Sequence, residues 1–156
     1  MTEKGPRARA LQYLCEHHVA NLASSGSAGP WAAAVFYVND RFDLYFLSSP
    51  TSRHCENIAR DPRVAVTVQE DYSDWPKIKG LQLEGMASEL SGDDENRARR
   101  LYGQKYSLVG MISTAPSAIV KALARVRWYR VAPIRAYFVD NSVGFGHRDE
   151  LDLSQH

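Results

Sequence analysis

Leu44-Tyr-Phe-Leu-Ser-Ser-Pro-Thr-Ser-Arg-His-Cys-Glu-Asn-Ile-Ala-Arg-Asp-Pro-Arg-Val-Ala-Val-Thr-Val68 reads without interruption as a strand, a turn rich in donors, a short helix and a second strand. Ser49 is the expected N-cap with Pro50 at the first helical position, and the helix must stop near Arg60 because Pro62 restricts Asp61 away from helical geometry. The hydroxyls of Ser48, Ser49, Thr51 and Ser52, the guanidinium of Arg53 and the open N–H groups of a helix start all favour a negatively charged group. Arg53 and His54 are both cation-capable and both fall in the first turn, where a positive charge opposes the helix dipole unless an anion lies between. A phosphate-bearing ligand is the expected occupant.

Towards the N-terminus, Ala8 to Val19 has the spacing of an amphipathic helix, with Ala8, Leu11, Leu14, Cys15 and Val19 on one side. Ser24 to Pro30 reads as a connecting loop, since its glycines are followed by neither Gly-Lys-Ser/Thr nor a helix. The apolar run Trp31 to Val38 stops at Asn39-Asp40 and leads into Phe42 to Leu47, which predicts a β-hairpin.

Towards the C-terminus, Asp71 to Lys77 is loop-like and Ile78 to Leu90 alternates, with Leu81, Leu83 and Met86 on the expected buried face. Gly80 and Gly85 mark bulges or close backbone approach. Charged and apolar helices follow, from Ser91 to about Tyr106 and from Pro116 to Ala124. Two strands, Val126 to Val131 and Ile134 to Val139, are expected on either side of Pro133, before a polar tail from Gly146.

Six or more strands joined largely by hairpin-length loops exclude a doubly wound parallel sheet, which needs a crossover helix between most strands. The expected fold is therefore mainly β with peripheral helices (α+β), a six-or-more-stranded antiparallel barrel. A chain of 156 residues with 44% hydrophobic content suits a single domain, 1–156, with an N-terminal helix over 8–21 and a tail over 146–156. Nineteen Lys and Arg against eighteen Asp and Glu leave a net charge of +1, so no global field draws the chain to nucleic acid or anionic lipid. With no apolar leader at Met1 to Arg7 and no run long enough to span a bilayer, a cytoplasmic protein is expected. Cys15 and Cys55 are the two cysteines and read as reduced thiols.

Other chemistries are poorly matched. Cys15-Glu-His17-His18 and His54-Cys55 lack Cys-x-x-Cys or His-Glu-x-x-His spacing, so no metal site is expected. No Gly-x-Ser-x-Gly elbow occurs, and Gly144-Phe-Gly146 has neither the helix nor the downstream acid of a dinucleotide fingerprint. Trp31, Tyr37, Trp75, Trp128 and Tyr129 lie at expected strand ends or loops near the donor-rich turn, where one or two are expected to line a planar ligand.

A strand pair, a basic Ser-Arg helix start, Asn-Ile, Asp-Pro-x-Val and then an x-Glu-Gly strand together resemble the pyridoxamine 5′-phosphate oxidase-related FMN-binding split barrels, over about Trp31 to Leu90. The chain is most similar to a small branch with Ser52-Arg53-His54, Gly80-Leu-Gln-x-x-Gly85 and Asp140-Asn-Ser-x-Gly-Phe-Gly-His147. The resemblance implies that Ser52, Arg53 and His54 grip the FMN phosphate, with Ser48 and Ser49 at the strand end beside them. It places the backbone of Ala33, Ala34, Val35, Phe36 and Tyr37 along the flavin ring, and Lys79 near ring or phosphate. It also implies a homodimer with the cofactor between subunits, for which Trp128 and Tyr129 are the expected partner-facing wall. His54 stands where the family has lysine, which ties phosphate affinity to pH.

The oxidase itself has Arg and Lys where this chain has Ala32 and Tyr37, and a Gln where it has Gly80; its C-terminal Arg-x-His has no match here. The resemblance thus implies the fold and an FMN site acting on an unidentified small molecule, rather than vitamin B6 oxidation. A non-catalytic flavin or haem module is the alternative, the latter needing an axial His such as His17, His18, His54 or His147.

Overall fold

In the computed structural model, which describes residues 4–107 and 116–155, a helix α1 (Pro6–Glu16) is followed by strands β1 (Val19–Gly26), β2 (Gly29–Phe36), β3 (Val38–Asp40) and β4 (Asp43–Ser48). Helix α2 (Arg53–Arg60) and strand β5 (Arg63–Gln69) come next, then a single 3-10 turn at Trp75–Lys77 and strand β6 (Lys79–Glu89). Helices α3 (Gly92–Lys105) and α4 (Ser117–Arg125) precede the long β7 (Arg127–Asp140) and the short β8 (Arg148–Glu150).

All strand pairs are antiparallel, in the order β2-β1-β5-β6-β7-β4-β3 with β8 added to β7. The sheet curls into a split barrel whose two open edges are β2 and the β3–β4 pair. Its interior is filled by the alternate residues of each strand, for example Leu22, Val66, Leu81, Leu83, Phe46, Val131 and Phe138, closed at one end by Tyr13 and Leu14 of α1. A second, smaller core of Val38, Tyr45, Ala98, Tyr102 and Trp128 lies under α3.

Several sequence expectations are corrected. The first helix ends at Glu16, and residues 19–26 form β1, which pairs with β2 through Gly26 and Gly29. The stretch read as a loop is thus the end of a hairpin, whose small residues pack closely: Ser24 is buried, and a Cβ at Gly26 would fall 2.0 Å from Oδ1 of Asn57. The run Trp31 to Val38 is not one strand, because the chain leaves β2 at Phe36, and the hairpin at Arg41-Phe42 joins Val38–Asp40 to β4 instead.

Pro133 does not divide two strands. It sits inside β7 at a bulge, where Gly85 faces Pro133 while Glu84 faces Arg135, leaving Ile134 as the extra residue; a bulge tolerates a residue without an N–H. On β6 the buried face is Leu81, Leu83, Gly85 and Ala87, and Met86 is exposed. The expected tail also carries structure, since Arg148–Glu150 pairs with Tyr137–Val139 and Leu151 is buried. His156, its last residue, lies outside the described residues.

Candidate functional site

The donor-rich turn forms as a unit at the open side of the barrel. Ser49 to Ser52 is a turn closed by the Ser52 N–H donating to the Ser49 carbonyl at 3.0 Å, with Pro50 supplying the fixed φ of its second position. That turn postpones the helix, so Ser52 rather than Ser49 is the N-cap: its Oγ accepts from the Cys55 N–H at 3.4 Å and donates to the Ser49 carbonyl at 2.7 Å. Arg53 and His54 become the first two helical residues, and their own N–H groups have no hydrogen-bond partner among the described residues.

Side chains converge at the same helix start. His54 Nε2 lies 2.6 Å from Ser48 Oγ at the end of β4 and 3.3 Å from Ser52 Oγ. Burial lowers the His54 pKa from its ordinary value, so the imidazole is held towards its neutral form. Ser49 and Thr51 hydroxyls are 2.9 Å apart on the exposed side of the turn. The Arg53 guanidinium lies over the Trp31 ring at 4.2 Å and reaches towards the Ala28 carbonyl at 3.5 Å. It is exposed, and so open to an incoming anion.

Asn57, which entered the sequence reading only through the Asn-Ile motif and with no role of its own, fixes this helix in place. Its amide donates to Ser24 Oγ at 3.1 Å in a buried pair, fastening α2 to β1. The signal was its spacing, one residue before the buried Ile58 and two after the buried Cys55.

The expected flavin strand is an edge strand. Among the described residues β2 has a sheet neighbour only in β1, so one row of its backbone groups is left unpaired by them along Ala33, Ala34, Val35 and Phe36. Tyr37 does not share this role: it is fully buried, its hydroxyl donates to the Leu14 carbonyl at 2.7 Å, its N–H donates to the His18 carbonyl, and its own carbonyl accepts from Tyr106. Trp128 is 4% exposed beneath α3, with Tyr102 edge-on at 5.3 Å and Arg99 over its ring. Tyr129 stacks on Phe46 in the main core. Neither ring therefore faces outward as a partner-facing wall.

Lys79 is at the opposite end of β6 from the strand ends that flank Ser48. There it lines a separate cavity of about 320 Å3 with Tyr13, His17, Glu70 and Tyr72. Tyr13 organises that end: its hydroxyl donates to the Lys79 carbonyl, accepts from the Glu70 N–H and is bonded to the Tyr72 hydroxyl at 3.0 Å. Burial raises its pKa well above the usual phenol range. Among the described residues no cluster of three His, Cys, Asp or Glu gathers to hold a metal ion.

The family model described as pyridoxamine 5′-phosphate oxidase matches residues 7–140. A UPF0306 protein of Yersinia pestis is 30% identical over 139 residues, covering 88% of this chain and 86% of that protein. Among solved structures, a heme binding protein from Mycobacterium smegmatis superposes with a TM-score of 0.75 at 21% identity, over 97% of this chain and 59% of that one. A FAD-binding protein from Mesorhizobium loti gives 0.64 at 20% identity, over 84% and 91%. At these identities the two structures show the split-barrel fold.

Proposed function

We propose, for a chain that belongs to the pyridoxamine 5′-phosphate oxidase family, that the start of α2 and the open edge of β2 together bind flavin mononucleotide and serve an oxidoreductase acting on a small molecule. The observation that carries this reading is the convergence of Ser48, Ser52 and His54 at the start of α2, with the exposed Arg53 guanidinium nearby over Trp31 and with the Arg53 and His54 N–H groups without partners among the described residues, beside a strand with an open backbone edge. The donor set fits a phosphate, and the edge strand fits the polar rim of a flat heterocycle. When bound, flavin would supply the redox chemistry. The chain's own residues bind and orient: Arg53 offers a planar fork to the phosphate, Ser48 and Ser52 offer hydroxyls, and His54 offers an N–H once protonated. No acid or base is assigned.

The same reading includes a homodimer. The outward faces of β2 and β1 carry Phe36, Ala34 and Ala32 beside Val19 and Ala23, while Ile134 stands out at the β7 bulge. Phe36 is 58% exposed and Ile134 57%, more apolar surface than one copy has reason to present to water. A second copy covering this face would also enclose the open edge of β2.

The competing reading is haem, motivated by the heme binding protein among the structural matches. Three histidines speak against an available axial ligand: His54 is bonded to Ser48, His147 to Asp149 at 3.0 Å, and His17 to Glu70 at 2.7 Å. His18 has no ring hydrogen bond among the described residues and is the remaining candidate. Titrating the purified protein with FMN and with haem, followed by absorption, separates the readings. One FMN per chain is expected; tight haem binding that His18→Ala abolishes, with no FMN bound at high micromolar concentration, would reverse the assignment.

A further inference from the structure

The end of the β1–β2 hairpin runs on past the strand beside it. Among the described residues β1 pairs with β5 only from Asn21 to Ala23, whereas its pairing with β2 continues through Ser24 with Trp31, Ser25 with Pro30 and Gly26 with Gly29. This projecting arm lies along α2. Asn57 donates to Ser24 Oγ at 3.1 Å, Arg60 reaches Ser27 Oγ at 3.4 Å, and the Arg53 guanidinium lies 4.2 Å over the Trp31 ring with the Ala28 carbonyl at 3.5 Å. Arg53, Asn57 and Arg60 are spaced i, i+4 and i+7, so all of these contacts leave one stripe of the helix.

The arm is held in place without any help from Arg53. Ser24, directly opposite Trp31 in the ladder, is buried and bonded to the buried Asn57, and Gly26 approaches Asn57 so closely that a Cβ there would fall 2.0 Å from its Oδ1. The indole of Trp31 is therefore carried by a backbone whose position relative to α2 is already fixed. Arg53 differs: its side chain is exposed, and among the described residues its polar and ring contacts are Trp31 and the Ala28 carbonyl. Without the ring, a long flexible chain would have to be ordered each time it met an anion.

We infer that Trp31 is a positioning residue for the phosphate end of the site: its ring face holds the Arg53 guanidinium beside the start of α2 before ligand arrives, and the β1–β2 arm is the splint that carries the ring. The inference rests on the reading of the α2 start as a flavin phosphate site. The attraction between a guanidinium and an indole face holds the plane of the fork while leaving N–H donors at its edge for the phosphate.

Fluorescence titration of the full chain with FMN and with riboflavin tests the role. Trp31→Leu should weaken FMN roughly three- to tenfold, the cost of ordering a free arginine on binding, and leave riboflavin nearly unchanged. Trp31→Tyr, which keeps a ring face, should restore most of the FMN affinity. In an Arg53→Ala background, Trp31→Leu should add no further loss. Equal losses for FMN and riboflavin in Trp31→Leu, no rescue by Trp31→Tyr, or a full further loss in the Arg53→Ala background would each overturn the positioning role. The support is also read without flavin: in proton–nitrogen correlation spectra the Arg53 Nε–H should be displaced by the Trp31 ring current and return to its ordinary position in Trp31→Leu. An Arg53 resonance that Trp31→Leu leaves unmoved overturns the inference whatever FMN does. A displaced resonance in a protein that binds no FMN would instead remove the flavin reading and leave the support of Arg53 standing.

Discussion

Nε2 of His54 and Oγ of Ser48 are 2.6 Å apart, and the hydrogen bond between them joins the first turn of α2 to the last residue of β4. The pair brings a titratable group, held towards neutrality by burial, to the place where a phosphate is expected. An anion arriving there favours the charged imidazole and raises the His54 pKa relative to the empty site.

FMN affinity should accordingly depend on pH. A group whose pKa rises on binding takes up a proton, so affinity increases as pH falls from about 8.5 to 6.5, above the range where the phosphate itself protonates at about 6. His54→Lys should flatten that dependence, since lysine stays charged throughout. Fluorescence titration across this range checks it; a slope retained in His54→Lys would assign the proton to another group.

Acid should also destabilise the protein through His54 when no ligand is bound. The folded-state pKa lies below the unfolded value of about 6.5, so the contribution is fully present above that value and is lost as pH falls through it towards the folded pKa. Denaturation midpoints measured with and without FMN should diverge most at the acid end, with the bound form less affected.

Arg53→Ala should cost FMN on the order of tenfold to a hundredfold, from charge-assisted hydrogen bonds of about 1.5–3 kcal/mol. Riboflavin, which lacks the phosphate, should lose little. Because Arg53 also covers Trp31 at 4.2 Å, equal losses for both ligands would mean that its contact with the aromatic ring matters more than its charge.

Phe36→Glu should shift the protein towards monomer in sedimentation and lower its affinity for FMN, because it places a charge on the outward face of β2 proposed to meet the second copy. The residue is exposed in the single chain, so the monomer should remain folded. A variant that stays dimeric with full FMN affinity would move the interface elsewhere.

Gly85→Ala and Gly103→Ala should move stability in opposite directions. A Cβ at Gly85 would come 2.6 Å from the Ala132 carbonyl, a backbone atom that cannot step aside, and a loss of about 1–3 kcal/mol is expected. Gly103 lies within α3 with open space around it, where alanine should gain about 0.5–1 kcal/mol. Urea midpoints check both.

The sequence was most legible where local chemistry and tertiary environment agree. The helix ending before Asp61-Pro62, the strand that follows it up to Val68 and the close approach at Gly85 all follow from properties of the residues themselves. β1 was hidden because Ser24, Ser25 and Gly26 are loop residues by composition; only Asn57, some thirty positions away, gives Ser24 its buried partner. The N-cap was misplaced because Ser49-Pro50 and Ser52 are both sound helix starts, and the choice between them was made by the turn that Ser52 closes onto Ser49. Trp128 was read as a wall of the site because an aromatic strand end looks alike whether solvent or a helix lies above it, and here α3 does.

The β4–β7 ladder sets the order in which the candidate site can mature. Leu44 pairs with Val131, 87 positions further along the chain, and Ser48 pairs with Arg127. Loop closure over such a separation is slow, and β4 has only the three residues of β3 to pair with until β7 has been synthesised. A nascent chain that has emerged only as far as α3 thus carries every residue from Ser48 to His54 but lacks the strand that anchors Ser48. The ability to hold a ligand at the α2 start should arise only once β7 has emerged, so binding can report that the whole barrel has closed.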